Sequence, residues 1–108
     1  MNTHASVVDD IVDIIVPLVS PDKIILFGSY ARGDYTERSD VDLLVLKKGL
    51  EDERGTVDKI YYSFIGKEIE VDVDVIAMDY ERYLSLINVT GYIYKSINKD
   101  GKVVYESL

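Results

Sequence analysis

Ile24-Ile25-Leu26-Phe27-Gly28-Ser29-Tyr30-Ala31-Arg32-Gly33, followed by Ser39-Asp40-Val41-Asp42-Leu43-Leu44-Val45-Leu46, decides how this chain folds. Residues 24–27 form a short, continuous apolar run ending at Gly28, the pattern of a buried strand whose carboxyl end opens into a tight turn. After Gly28-Ser29 and ten intervening residues, a second strand begins with Asp40 and Asp42. Side chains two apart on a strand leave the same face, roughly 6.5 to 7 Å apart along it.

Leu43-Leu44-Val45-Leu46 make this second strand too apolar to lie in water, so its two aspartates are carried into or beside the core. A carboxylate there is costly unless it is paired, and the strand contains no Lys or Arg to pair it. A divalent cation shared by the two is the expected partner. The bland alternative has Asp40 capping a turn with Ser39 and Asp42 at an exposed edge. The Gly28-Ser29 turn upstream, where a triphosphate has room to sit, speaks against it.

The pattern Gly-Ser-Tyr-Ala-Arg-Gly-Asp (28–34) with Ser-Asp-Val-Asp-Leu-Leu-Val (39–45) resembles the minimal nucleotidyltransferases of the DNA polymerase β superfamily, closely from Ile24 to Leu46 and more loosely from Gly66 through Glu106. The resemblance implies an α+β fold, a mixed β-sheet flanked by helices, and a third carboxylate on a later strand. Glu70-Val71-Asp72-Val73-Asp74-Val75-Ile76 supplies the candidates, with the valines on one face of a strand and the acids on the other. Half-exposure of a strand accounts for Glu70 and Asp72. Asp74, followed by Val75-Ile76-Ala77-Met78, is expected nearer the buried middle and matches the family's context for the third carboxylate, so it is preferred over Asp72.

The chemistry so implied needs little covalent work and much positioning and charge neutralisation. Two Mg²⁺ ions would be bridged by Asp40 and Asp42, one also held by Asp74, which could take the proton of the incoming hydroxyl. Gly28 and Ser29, with backbone N–H groups and a helix start near Tyr30, would hold the phosphates of ATP. Arg32 is the natural cation for phosphate charge, with Arg38 the alternative, and Gly33 serves a backbone turn.

At 108 residues and 47% hydrophobic content the expectation is a single domain, residues 1–108, with one core. With zero cysteines there is no disulfide framework and no thiolate chemistry. No signal peptide and no apolar stretch of membrane length are seen, so a cytoplasmic protein is the default. Twenty acids against twelve bases give a net charge of −8, which repels a nucleic-acid backbone and argues against a template-reading polymerase. The lone histidine, His4, reads as a surface residue rather than a ligand.

Outward from the two strands, Val8, Ile11, Val12, Ile15, Leu18 and Val19 recur at helical spacing, predicting a helix over 4–18 with Pro17 near its end. Val57, Ile60, Tyr61, Phe64 and Ile65 predict a second helix ending at Gly66, and Tyr80, Tyr83, Leu84 and Ile87 a third. Lys99-Asp100-Gly101 reads as a turn into a last strand, Lys102–Glu106. Nine tyrosines against two phenylalanines suggest a protein-binding surface. Tyr61 and Tyr83 also suit a core with a wet hydroxyl, and Tyr92, Tyr94 and Tyr105 are the better interface candidates.

A nucleotidyltransferase must hold an acceptor as well as a nucleotide, and larger relatives carry an extra domain for it; none is evident here. Stand-alone members resembling this chain are commonly encoded beside a small helical ribonuclease toxin of the HEPN class and act as its antitoxin. The resemblance therefore implies transfer of AMP from ATP to a tyrosine hydroxyl of such a partner. The alternatives are a small-molecule nucleotidyltransferase completed by homodimerisation, and a catalytically idle module that neutralises its partner sterically.

Overall fold

The computed structural model describes the backbone of residues 4–108 and the side chains from residue 7 onward, so the surface position expected for His4 lies outside the described residues. Nine elements follow in chain order among those residues: α1 (His4–Val19), β1 (Lys23–Phe27), α2 (Gly28–Arg32), β2 (Val41–Lys47), α3 (Glu53–Phe64), β3 (Val73–Asp79), α4 (Tyr80–Leu86), α5 (Tyr94–Asp100) and β4 (Lys102–Glu106). The four strands form one sheet in the order β3-β2-β1-β4. The β1–β2 and β1–β4 pairs are antiparallel and β2–β3 is parallel, so the sheet is mixed and the fold is α+β with flanking helices, as expected.

The two central strands explain their own composition. β2 is paired on both edges and covered on both faces, which is why Leu43, Leu44, Val45 and Leu46 are all fully buried. On one face Leu43 and Val45 join Ile24, Leu26 and Val75 beneath α1 and α3. On the other, Leu44 and Leu46 join Ile25 and Met78 beneath Tyr83 of α4 and Ile97 of α5. The α1 stripe is as read, with Leu18 only partly buried: Val8, Ile11, Val12, Ile15 and Val19 are buried while Asp9, Asp10 and Asp13 face water. Pro17 sits in the last turn, where it interrupts little.

Several expectations need correction. The acidic strand begins at Val73, not at Glu70, because β3 is an edge strand whose only partner, β2, starts at Val41. The Asp72 carbonyl accepts the Val41 N–H at 2.9 Å, and nothing lies beyond to pair residues 70 and 71. Asp74 is consequently the second residue of β3 and exposed, not near the buried middle; burial sets in at Val75. In the third predicted helix Leu84 faces water although it was assigned to the apolar stripe.

Residues 94–100, for which the sequence predicts no helix, form α5, whose single buried residue, Ile97, plugs the second core. Tyr83 is buried and its hydroxyl donates to Asn98 Oδ1 at 3.2 Å. Tyr105 packs partly on the first core rather than presenting a free face.

Candidate active site

The site forms where β1 ends. Phe27 is still extended, Gly28 turns the chain at φ +72°, and α2 follows at once. A side chain at Gly28 would be strained by that backbone, and an added Cβ would also overlap Asp42 Oδ2. Glycine there lets the carboxylate of β2 lie against the turn, in line with the Phe27–Asp42 register of the two strands. α2 is only five residues long; it is held by the burial of Tyr30 and Ala31 and closed by Gly33 at φ +85°, whose N–H donates to the Ser29 carbonyl at 2.9 Å. Tyr30 stacks on Tyr35 with ring centroids 4.5 Å apart, fixing the loop that leads to Asp40. In that loop the Thr36 N–H donates to Ser39 Oγ at 2.8 Å, so the turn before β2 closes through Ser39 and not through Asp40.

Asp40 lies just ahead of β2 and Asp42 is its second residue. In the parallel ladder Asp42 is in register with Asp74, so the two carboxylates leave the same face of adjacent strands, whose spacing is about 4.8 Å. The carboxyl of Asp42 is pushed up to about 6, first by burial, then by the charges of Asp74 and Asp40 and a hydrogen bond to Asp74, with Arg32 opposing. The structure thus brings together Asp40, Asp42 and Asp74 beside Gly28. Asp72 borders the same cleft as Asp40 and Asp74 but is not in register with Asp42.

Two hollows flank these acids. One, about 220 Å³, is bordered by Gly28 and Arg32 together with Ile93, Ser96 and Asp100 of α5 and its approach. The other, about 580 Å³, is bordered by Asp40, Asp72 and Asp74 and by residues of α3 and the segment after it. Arg32 reaches Asp34, Nε to Oδ2 3.3 Å, an exposed pair that competes weakly with any anion. Arg38 is exposed in the 36–39 turn, its N–H bonded to Thr36 Oγ1 at 3.2 Å. Ser96 and Asp100 carry no sequence signal, since α5 has no apolar period. In sequence Tyr61 and Phe64 read as a helix face, with Tyr61 also suited to a core with a wet hydroxyl, although Tyr61-Tyr62-Ser63-Phe64-Ile65 is apolar over more of the circumference than one core can cover.

Among the described residues no three acidic, histidine or cysteine side chains are already closed around a common point as metal ligands. The donor set nevertheless suits a hard cation. Asp40, Asp42 and Asp74 offer only carboxylate oxygens, no ion pair among the described residues reaches them, and their mutual repulsion adds to the burial that raises Asp42.

A mixed four-stranded sheet with a Gly-Ser turn against paired aspartates defines a nucleotidyl-transfer type of fold, and comparison with known proteins agrees. Residues 8–104 match the nucleotidyltransferase domain family, and the chain belongs to it. A Methanocaldococcus jannaschii protein named "putative protein adenylyltransferase" is 34% identical over 85 residues, 77% of either chain. A second protein of that name from the same organism is 74% identical over 27 residues, a quarter of this chain (25%) and 27% of its own length. Among solved structures, a "putative nucleotidyltransferase" from Sulfolobus solfataricus superposes with a TM-score of 0.56 at 25% identity, over 93% of this chain and 78% of that one. A chain of a toxin-antitoxin with AMP-PNP superposes with a TM-score of 0.62 at 18% identity, over 92% of this chain and 73% of that one, a likeness of fold.

Proposed function

We propose that this nucleotidyltransferase moves AMP from ATP onto a side-chain hydroxyl of a partner protein, most simply a tyrosine of a HEPN-class toxin that it thereby silences. The observation that carries the reading is the in-register pair Asp42–Asp74, with Asp40 alongside, placed against the Gly28-Ser29 turn. The relatives named as protein adenylyltransferases support a protein acceptor, and the likeness to a toxin-antitoxin with AMP-PNP supports both the adenine nucleotide and the kind of partner. The HEPN class and the tyrosine rest on the family resemblance of the motifs.

In this reading Ser29 Oγ, the backbone N–H groups of the turn and the Arg32 guanidinium orient and neutralise the triphosphate. The acceptor oxygen attacks the α-phosphorus, the bond from that phosphorus to the α,β-bridging oxygen breaks, and pyrophosphate leaves with the electron pair. The hydroxyl proton passes to the Asp74 carboxylate, which lies on the side of the acids away from Gly28. Asp40, Asp42 and Asp74 would hold Mg²⁺, which when bound supplies charge neutralisation at the phosphates and makes the hydroxyl more acidic. An AMP group on the toxin adds a bulky anion where RNA phosphate must bind, which silences it.

Mass spectrometry of a HEPN-class partner, incubated with this protein, Mg²⁺ and ATP, tests the reading. A gain of one adenylyl group, lost with Asp40→Asn/Asp42→Asn, is expected. If that double variant protects cells from the toxin as well as wild type, and the toxin from both carries no added nucleotide, neutralisation is steric and the transfer reading fails.

A further inference from the structure

The two hollows beside the carboxylates differ in charge, and that difference assigns them. The one at Gly28 is bordered by Arg32 and Asp100, one base to one acid, while the one at Asp74 is bordered by Asp40, Asp72 and Asp74 with Lys67 as its only base. The first has the guanidinium and borders the glycine turn that a triphosphate needs, and the second has neither, which leaves that cleft to the other substrate.

We propose that the cleft of about 580 Å³ between the end of α3, the 65–72 segment and the start of β3 is the docking site for the acceptor, and that it takes a basic peptide segment whose aromatic or aliphatic side chains enter beside the hydroxyl to be modified. Its far wall is apolar, made by Tyr61, Phe64, Ile65, Ile69 and Val71. The wall is set in advance: the Tyr61 hydroxyl accepts the Val75 N–H at 2.9 Å, and its ring meets Phe64 edge-on with centroids 6.3 Å apart. Apolar surface continues outward through Ile65 and its neighbour Tyr62, which are 74% and 73% exposed, the largest exposures of any large apolar side chain among the described residues apart from the terminal Leu108. The volume is within the range of sites that bury most of a small ligand, enough for an aromatic side chain and its neighbours.

The near wall gives the occupant its sign. Asp40, Asp72 and Asp74 border the cleft, and Glu68 and Glu70 are exposed on the segment that forms its side, against Lys67 alone. Arg and Lys flanking the acceptor residue complement this rim. A second copy of this chain, at net charge −8, would bring acids against acids, and a nucleic acid would bring phosphates. The site's role rests on the transfer reading above; the docking does not. A peptide seated here presents its hydroxyl from the Asp74 side, opposite the nucleotide at Gly28, which is the in-line approach that departure of pyrophosphate requires.

The test uses the whole protein and two tyrosine-centred nonapeptides, one with Lys/Arg flanks and one with Asp/Glu flanks, read by amide chemical shifts without nucleotide. The basic peptide is expected to move amides of residues 61–74, and the acidic one to bind at least tenfold more weakly. Ile65→Lys, at an exposed position, should weaken the basic peptide at least tenfold with an unchanged thermal shift by Mg²⁺-ATP. Lys67→Glu should tighten it about threefold, a gain that misfolding cannot mimic. No binding of the basic peptide, shifts centred on Phe27 and Ile93 instead, no response to either variant, or preferential binding of a single-stranded oligonucleotide overturns the proposal. Transfer is scored separately: a cleft-bound partner segment that gains no adenylyl group with Mg²⁺ and ATP sinks the transferase reading and leaves the docking site standing.

Discussion

The parallel β2–β3 ladder has an aspartate pair at one end and a lysine-aspartate pair at the other, Asp42↔Asp74 against Lys47↔Asp79, and the two ends use their acids in opposite ways. At the far end Lys47, Glu53, Asp79 and Arg82 are all bonded. Asp79 caps α4 by accepting the Arg82 N–H at 3.1 Å and also accepts the Gly49 N–H at 2.8 Å. Arg82 Nη1 donates to both oxygens of Glu53, at 2.8 and 3.0 Å, and Lys47 Nζ donates to the Val19 and Ser20 carbonyls at 2.7 and 3.1 Å. At the near end Asp42 meets Asp74, Asp40 and a glycine. Acids at the far end hold elements together, and acids at the near end are kept short of partners.

The contrast predicts which substitutions remove activity and which remove stability. The largest effect is expected for Asp42→Asn, with transfer falling by at least about 10²-fold, the scale of losing a group that stabilises developing charge, while the fold is retained. Asp74→Asn should lower turnover more than nucleotide affinity, and Asp72→Asn should stay close to wild type, since Asp74, and not Asp72, is in register with Asp42. Single-turnover transfer beside Mg²⁺-ATP binding checks both, and a greater loss from Asp72→Asn would overturn the choice of Asp74.

Gly28→Ala comes next and affects both properties, because the new Cβ is strained at φ +72° and overlaps Asp42 Oδ2. A stability loss of about 1 kcal/mol or more and a fall in transfer of at least tenfold are expected, from urea unfolding and the same transfer assay. Alanine at Gly33, also at positive φ but with open space around it, should cost stability without a matching loss of transfer. Equal loss of transfer from both would mean that the approach of Asp42 to the turn does not matter.

At the far end Asp79→Ala should cost about 1–2 kcal/mol, through loss of the α4 cap and of the Gly49 bond, and leave transfer per folded molecule unchanged. Urea unfolding with an activity titration measures it. If Asp79→Ala proved as damaging to turnover as Asp42→Asn, the division of labour between the two ends would not hold.

How much of this was legible in the sequence follows from what was local. The helical stripe of α1, the apolar run of β1 and the final strand Lys102–Glu106 could be read because a single element carried the whole signal. Gly28, Asp40 and Asp42 were legible as a motif. The start of β3 was not, since the alternation of residues 70–76 continues smoothly past the point where β2 stops offering a partner. Nor was the side-by-side placement of Asp42 and Asp74, which depends on a register between segments 32 positions apart in the ladder. α5 was hidden because residues 94–100 bury only Ile97, and one apolar contact makes no period. The acidic rim of the cleft could be counted in the sequence, but not the tyrosine and phenylalanine facing it across the edge of the sheet.

The smallest effect expected is on the stability of the protein without ligands, and it has the opposite sign to the effect on activity. In the folded chain the Asp42 carboxyl is raised from 3.8 to about 6, so between those pH values the folded protein keeps a proton that the unfolded chain has lost. Stability therefore falls as pH climbs through that window, and above about 6 the full penalty is present. Asp42→Asn removes it: the variant and wild type should be about equally stable near pH 4, and near pH 7.5 the variant should be the more stable by about 1 kcal/mol, a figure reduced for the solvent that reaches this half-buried group. Thermal unfolding of both proteins across pH 4 to 8 without divalent cations measures the difference. Saturating Mg²⁺ should shrink it, because a cation that binds only the folded wild type offsets the same repulsion. A variant less stable than wild type at pH 7.5 would mean that Asp42 is a structural acid like Asp79, and the contrast between the two ends of the ladder would fail at the position that defines it.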